Sequence, residues 1–186
     1  DTLIVFTSDH GDYLGDHWLG EKELFYEPSI RIPLIIYDPE APASRRGVRE
    51  QRLVESIDLV PTFLEAVGVE PPSHLLEGRS LLQLLRGGEP DWRDAVFCEL
   101  DYAFRGARLT LGRGPDECRG FMVRDERWKY IHWQGFQPQL FDLHDDPDEL
   151  VDLGADPARA AQRSEMHGRL FDWLASRKLR TTLDDA

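Results

Sequence analysis

A chain of 186 residues has room for one domain, or for one domain with a small companion. With 41% hydrophobic and 31% charged residues it reads as globular rather than disordered, and no apolar run approaches the roughly 18 residues that suggest a membrane span. A formal net charge of -13 argues against a nucleic-acid partner, whose backbone demands clustered Lys and Arg; no membrane partner is expected either.

The sequence opens inside an apolar run, Thr2 to Thr7, in which Leu3, Ile4, Val5 and Phe6 predict a strand buried on both faces. Because it starts there, without Met, signal peptide or capping loop, the chain reads as a fragment of a longer protein. The run ends in Ser8-Asp9-His10-Gly11-Asp12, at the carboxyl end of the strand, where open α/β sheets keep their ligand sites. A polar Gly-rich loop follows to Gly20, and Lys22 to Glu27 predicts a short helix. Arg31 to Tyr37 is a second apolar strand, with Pro33 near its start where a missing N–H is tolerated. Asp38 to Arg52 is a surface loop. The next helix takes Asp58 as N-cap, has Pro61 in its first turn and ends at Gly68; Leu59, Phe63, Ala66 and Val67 are expected to face the core. Ser80 to Leu85 gives a further short helix, closed by Gly87-Gly88.

Beyond Trp92 the pattern changes. Ala95 to Leu100, Gly120 to Arg124, Arg127 to Trp133 and Gln139 to Leu143 predict short strands, with Asp125-Glu126 as a hairpin turn. Ala158 to Leu179 is the longest helix, with Met166, Leu170, Trp173 and Leu174 on one face. The fold class is therefore α/β. Residues 1–90 form the C-terminal part of a mostly parallel α/β domain, and residues 91–186 a small α+β subdomain of antiparallel sheet plus helix. Cys98 and Cys118 belong to no CxxC motif, so a reduced, cytoplasmic setting is the expectation, with a single bridge between them as the alternative.

Asp9 and His10 offer a carboxylate and a neutral imidazole, a pair that suits Mn, Zn or Fe, whereas Ca²⁺ prefers oxygen throughout. Two ligands do not complete a site, so others must come from elsewhere. The plainer alternative is a turn-capping Asp9 beside a loop histidine; the place at a strand end and the following Gly11 favour ligands. Lys22 is a candidate for holding an anionic substrate or steadying a leaving group, against the alternative of a solvated lysine. His17 divides evenly between substrate contact and a loop role, while Asp12 and Asp16 read as turn acids.

The stretch from Ser8-Asp-His-Gly-Asp-Tyr-Leu-Gly-Asp-His-Trp-Leu-Gly-Glu to Lys22, then Phe25-Tyr-Glu-Pro-Ser-Ile-Arg-Ile-Pro33, resembles the C-terminal part of the sulfatase family in the alkaline phosphatase superfamily. Ser56-Ile-Asp-Leu-Val-Pro-Thr-Phe-Leu, Leu76-Glu-Gly-Arg-Ser-Leu-Leu and Leu140-Phe-Asp-Leu-His-Asp-Asp-Pro-Asp-Glu-Leu-Val-Asp-Leu resemble further segments of that family, in the same order. The resemblance implies an alkaline phosphatase-like fold, Asp9 and His10 as metal ligands, and Lys22 as the substrate-anion lysine and a catalytic residue. His17 is placed beside it as a second catalytic candidate. Many calcium-type sulfatases carry Asn where this chain has His10. The Asp-His form looks more like phosphonate monoester hydrolases and related phosphodiesterases, which points to one divalent ion, Mn²⁺ first, with Ca²⁺ or Zn²⁺ as alternatives. The family's C-x-P-x-R segment, whose first residue becomes formylglycine, fits neither Cys98 nor Cys118, so the nucleophile is expected upstream.

Three readings follow. The first is a hydrolase of small phosphonate or phosphate esters, phosphonate monoester hydrolase-like. The second is an arylsulfatase or other sulfatase acting on small sulfate esters. The third, of another class, takes the piece by itself as a non-catalytic packing or oligomerisation module. A homo-oligomer is expected.

Overall fold

In chain order, the computed structural model, which describes residues 1–178 and 182, contains β1 (Ile4–Thr7), α1 (Glu27–Ile30), β2 (Leu34–Tyr37), α2 (Leu59–Ala66), α3 (Leu82–Leu85), β3 (Val96–Asp101), α4 (Ala107–Thr110), β4 (Arg119–Arg124), β5 (Trp128–Trp133), β6 (Gln139–Asp142) and α5 (Ala160–Ser176). The fold is mixed α/β with antiparallel sheets and helices. The described chain divides into two compact units, residues 1–9 with 32–94 and 176–178, and residues 10–31 with 95–175. Among the described residues no helix is long and apolar enough to cross a membrane, and Cys98 and Cys118 are not joined in a disulfide.

In the second unit β3, β4, β5 and β6 pair in sequence order, each antiparallel to the next, with Met122 opposite Ile131 and Tyr130 opposite Leu140. The Asp125-Glu126 turn forms where expected. The Asp125 carboxylate accepts the amides of Arg127 at 2.9 Å and Trp128 at 2.7 Å, and so fixes the β4–β5 register. Period-two alternation then sorts the side chains onto two covered faces. Ala95, Val123, Tyr130 and Leu140 pack against Met166 and Leu170 of α5, and Phe97 stacks on Trp173 at 4.6 Å. Met122, Ile131 and Phe141 pack against Phe25 on the other face. Each such burial is worth roughly 1.5–3 kcal/mol. Gly120 is required here, because a Cβ would lie 2.4 Å from the Trp133 ring.

The long helix follows a 3₁₀ turn at Pro157–Arg159, capped by the Asp156 carboxylate accepting the Ala158 amide at 2.9 Å. Its apolar face is the expected one; Leu179, its expected last residue, lies outside the described residues. The helix expected over Lys22 to Glu27 does not form. Glu21 and Leu24 take left-handed φ of 60° and 78°, and the Lys22 carbonyl accepts the Ser29 hydroxyl instead of a helical amide. The helical turn lies later, at Glu27–Ile30, with Pro28 in its first turn.

In the first unit β1 and β2 pair antiparallel, Ile4 opposite Tyr37 and Phe6 opposite Ile35. These four side chains share one face, and that face is exposed: Phe6 keeps 62% and Ile35 65% of its surface. The expectation of a strand buried on both faces is thus corrected; within its unit the ladder has one half-buried face only. The α2 helix also turns differently from expectation. Pro61 and Thr62 are buried, while Phe63 and Val67 are exposed. Asp58 is no N-cap. It lies inside a preceding 3₁₀ turn, and its carboxylate accepts the Glu55 amide at 2.8 Å and the Arg79 amide at 2.7 Å and pairs with the Arg93 guanidinium. Thr62 completes the joint, donating to the Asp58 carbonyl at 2.6 Å and accepting the Leu81 amide at 2.9 Å. Gly78 passes so close that a Cβ would sit 2.1 Å from the Ile57 carbonyl oxygen. Two of the segments that carry the family resemblance are therefore one packed joint.

Candidate active-site loop

Asp9 lies two residues past β1, exposed, at the end of the first unit, and His10 opens the second. His10 is half-buried, and its Nδ1 lies 2.6 Å from the Gly11 carbonyl oxygen. A carbonyl only accepts, so Nδ1 carries the proton, and in the neutral ring Nε2 carries the lone pair. This is the tautomer of a histidine whose second nitrogen is fixed by backbone while the first is a donor to a metal.

Ser29, buried, ties the loop together. Its carbonyl accepts the Gly11 amide at 2.7 Å, and its hydroxyl donates to the Lys22 carbonyl. The Tyr13 amide donates to the Glu21 carbonyl at 3.0 Å. Gly11, the neighbour of His10, and Lys22, eleven residues apart in sequence, are thus anchored through a single residue. Gly11 is needed for this approach, since a Cβ there would fall 1.9 Å from the Pro28 carbonyl oxygen.

Lys22 is exposed, and the two carboxylates beside it turn to Arg105 rather than to its ammonium. His17 sits in a 3₁₀ turn, Asp16–Trp18, with left-handed φ of 54°, and its ring stacks on Tyr26 at 4.1 Å with Tyr13 edge-on. That aromatic packing gives His17 a structural partner that spacing alone did not reveal. Tyr13 is buried, and burial pushes its phenol up to about 12. Sequence reasoning missed Tyr13, Tyr26 and Arg105. The two tyrosines carried a signal, as aromatics inside the motif; Arg105 carried none.

The loop stores backbone strain. Leu14, His17, Trp18, Glu21 and Leu24 all hold φ between 49° and 78°, conformations that cost a non-glycine residue of order 1–3 kcal/mol each and that gather at functional sites. Leu14 and Trp18 stand 90% and 96% exposed. Among the described residues no group of three or more His, Cys, Asp or Glu is arranged to hold a metal ion.

Residues 15–176 match the family model described as N-sulphoglucosamine sulphohydrolase, C-terminal. The chain belongs to that sulphohydrolase C-terminal family. Among the family chain's relatives is the multifunctional alkaline phosphatase superfamily protein PehA of Trinickia caryophylli, 40% identical over 186 residues, covering 97% of this chain and 36% of the relative. Arylsulfatase K of Gallus gallus is 34% identical over 169 residues, covering 82% and 28%. The solved phosphonate monoester hydrolase of Agrobacterium radiobacter superposes with a TM-score of 0.87 at 40% identity, over 94% of this chain and 35% of that one. The sulphohydrolase family chain thus spans about a third of the length of the relatives it matches. Its relatives are sulfuric and phosphoric ester hydrolases of the alkaline phosphatase superfamily.

Proposed function

We propose that the whole protein carrying this chain is a metal-dependent hydrolase of small phosphonate or phosphate monoesters and diesters, with Asp9 and His10 as two of its metal ligands. The observation that carries the reading is the His10 ring: its Nδ1 is committed to the Gly11 carbonyl, which leaves Nε2 as the nitrogen for a metal, next in the chain to the Asp9 carboxylate. A carboxylate with an imidazole fits Mn²⁺ better than Ca²⁺, with Zn²⁺ as the next choice. Further ligands come from residues outside this sequence in this reading, as does the nucleophile. A bound divalent ion would supply charge neutralisation on the ester oxygens and lower the pKa of the attacking hydroxyl. Lys22, exposed on a loop whose backbone is held at both Glu21 and Lys22, receives the anionic oxygens of the ester and steadies the charge that builds on them. His17, packed on Tyr26, stands as the substrate-side neighbour. The family's formylglycine, contributed from outside residues 1–186, is the nucleophile in this scheme.

Arylsulfatase activity is the second reading, favoured by the 34% identity to arylsulfatase K. The deciding assay compares an aryl phosphonate with the matched aryl sulfate on the full-length protein, loaded in turn with Mn²⁺ and Ca²⁺. Faster turnover of the phosphonate with Mn²⁺ supports the first reading, and faster turnover of the sulfate replaces it. Asp9→Ala and His10→Ala are expected to lose bound metal together with activity; normal metal content with full activity in Asp9→Ala would remove that residue from the ligand set. Peptide mapping that finds an unmodified Ser or Thr nucleophile would remove formylglycine.

A further inference from the structure

The Lys22 loop carries one positive charge against two negative ones, because Glu21 and Glu23 flank the lysine. Left to themselves those carboxylates would repel an anionic ester or draw the ammonium down onto themselves. Both are instead taken by one side chain from another part of the second unit. The Arg105 guanidinium pairs with Glu23, and its Nη2 lies 3.8 Å from the Glu21 carboxylate. Arg105 is itself held in place. Its guanidinium lies over the Phe104 ring, 4.8 Å from the centroid, its amide donates to the Tyr102 carbonyl at 2.9 Å, and the Tyr102 amide continues the β3–β4 ladder to the Cys118 carbonyl at 2.9 Å. Asp101 accepts the Ala103 amide at 2.8 Å, and Arg108 Nε donates to the Ala103 carbonyl at 2.8 Å, closing the turn that presents Arg105. The charge that answers Glu21 and Glu23 is therefore delivered from the turn at the end of β3.

We infer that Arg105 is a positioning residue for anion binding: by holding Glu21 and Glu23 away from Lys22 and cancelling part of their charge, it keeps the lysine available to an anionic sulfate or phosphonate ester. The inference rests on the proposed role of Lys22. Arg105 touches neither substrate nor metal in this scheme; it acts on the potential at Lys22. The ionic strength at which the anion is bound should therefore matter, since part of the pairing is exposed to solvent.

The test uses the full-length, metal-loaded protein, an aryl phosphonate as substrate and inorganic phosphate as the competing anion. Arg105→Ala is expected to raise both KM and the phosphate Ki by about fivefold to tenfold at low salt, with the difference shrinking at high salt. The kcat is expected to move by less than about twofold, since uniform binding rather than the transition state is affected. Arg105→Lys should retain most of the binding. Adding Glu21→Gln and Glu23→Gln to Arg105→Ala should restore Ki, which a merely structural role would not do. An unchanged Ki in Arg105→Ala, or a raised Ki that persists in the triple variant, overturns the inference. Should Arg105→Ala fail to fold by its thermal melt, the Glu21→Gln, Glu23→Gln double variant in the parent decides: a lowered Ki supports the inference, and an unchanged or raised one overturns it. Lys22→Ala separates the two levels. An unaffected Ki there removes the anion role of Lys22 and this inference with it, while a raised Ki beside a silent Arg105→Ala removes this inference alone.

Discussion

Between His10 and Leu24, five non-glycine residues hold left-handed backbone and Trp18 is 96% exposed; between Val96 and Asp142, Val123 and Leu140 have no exposure at all. Both stretches belong to the same compact unit. The sheet holds its shape by burial on two faces, which any similar set of apolar side chains would approximate. The loop holds its shape by a few specific tethers, chiefly Ser29, Tyr13 and the stack of His17 on Tyr26, against backbone conformations that few side chains favour. In the proposed reading stability and chemistry fall on different stretches of one unit, and variants should separate them.

The largest expected effect lies where the two stretches meet. Lys129 of β5 is fully buried, with its ammonium 2.8 Å from Glu27, 2.6 Å from Glu149 and 3.0 Å from the Phe25 carbonyl that it serves as donor. Burial pushes the Glu149 carboxyl up despite Lys129; at Glu27 burial pushes upward as well, but Lys129 and Arg124 outweigh it and hold the carboxyl below its usual range. Lys129→Met leaves the buried Glu149 without its cation and Glu27 with Arg124 alone, and should cost about 3–5 kcal/mol in urea denaturation. A loss under about 1 kcal/mol would mean that the triad does not hold the segment after the loop to the sheet.

Leu140→Ala comes next, at about 2–5 kcal/mol, because it opens a cavity between β6 and α5. The folded fraction should keep its kcat. A matching loss of kcat at full folding would break the division between loop and sheet.

A smaller, pH-dependent effect is expected at Asp142. The two hydrogen bonds from Arg127, at 2.9 and 2.7 Å, hold its carboxyl below the usual range, and they outweigh the upward push of burial. A folded-state value below the unfolded one, about 3.9, gives stability that is present above that value and lost as pH falls through the folded one. Asp142→Asn should therefore be less stable than the parent at pH 7, and the gap should close as the pH is taken down through the carboxylate range. A gap constant with pH would show that shape rather than charge is at stake.

What the sequence made legible divides along the same line. The four sheet strands, the Asp125-Glu126 turn and the apolar face of α5 followed from period-two and period-3.6 patterns, because local alternation decides which side chains are buried there. Lys129 was hidden within that alternation: its burial depends on Glu27 and Glu149, which are distant in sequence. Helix α2 misled for a related reason. Phe63 of the helix and Val67 just past its end are exposed, while Thr62 is buried because its hydroxyl has the Asp58 carbonyl and the Leu81 amide as partners. In the loop the residue types were readable, Asp9, His10 and Lys22 among them, but not the handedness of the backbone. No side-chain pattern calls for left-handed φ at Leu14, Trp18 or Leu24; tertiary tethers impose it.

The smallest effect on stability, and the sharpest on the comparison, is expected from Trp18→Ser. Trp18 is nearly all in solvent, so its loss should change unfolding free energy by no more than about 0.5 kcal/mol. Its ring stands in water on a strained turn, between His17 and Lys22 in the chain. If the ring meets the organic part of an ester whose anionic oxygens go to Lys22, Trp18→Ser raises KM for an aryl ester by about threefold and leaves the Ki of inorganic phosphate unchanged. The two readouts are independent, since phosphate carries the anion without the ring. A rise in both would make Trp18 a support for the loop, and a rise in neither would confine substrate recognition to the anion.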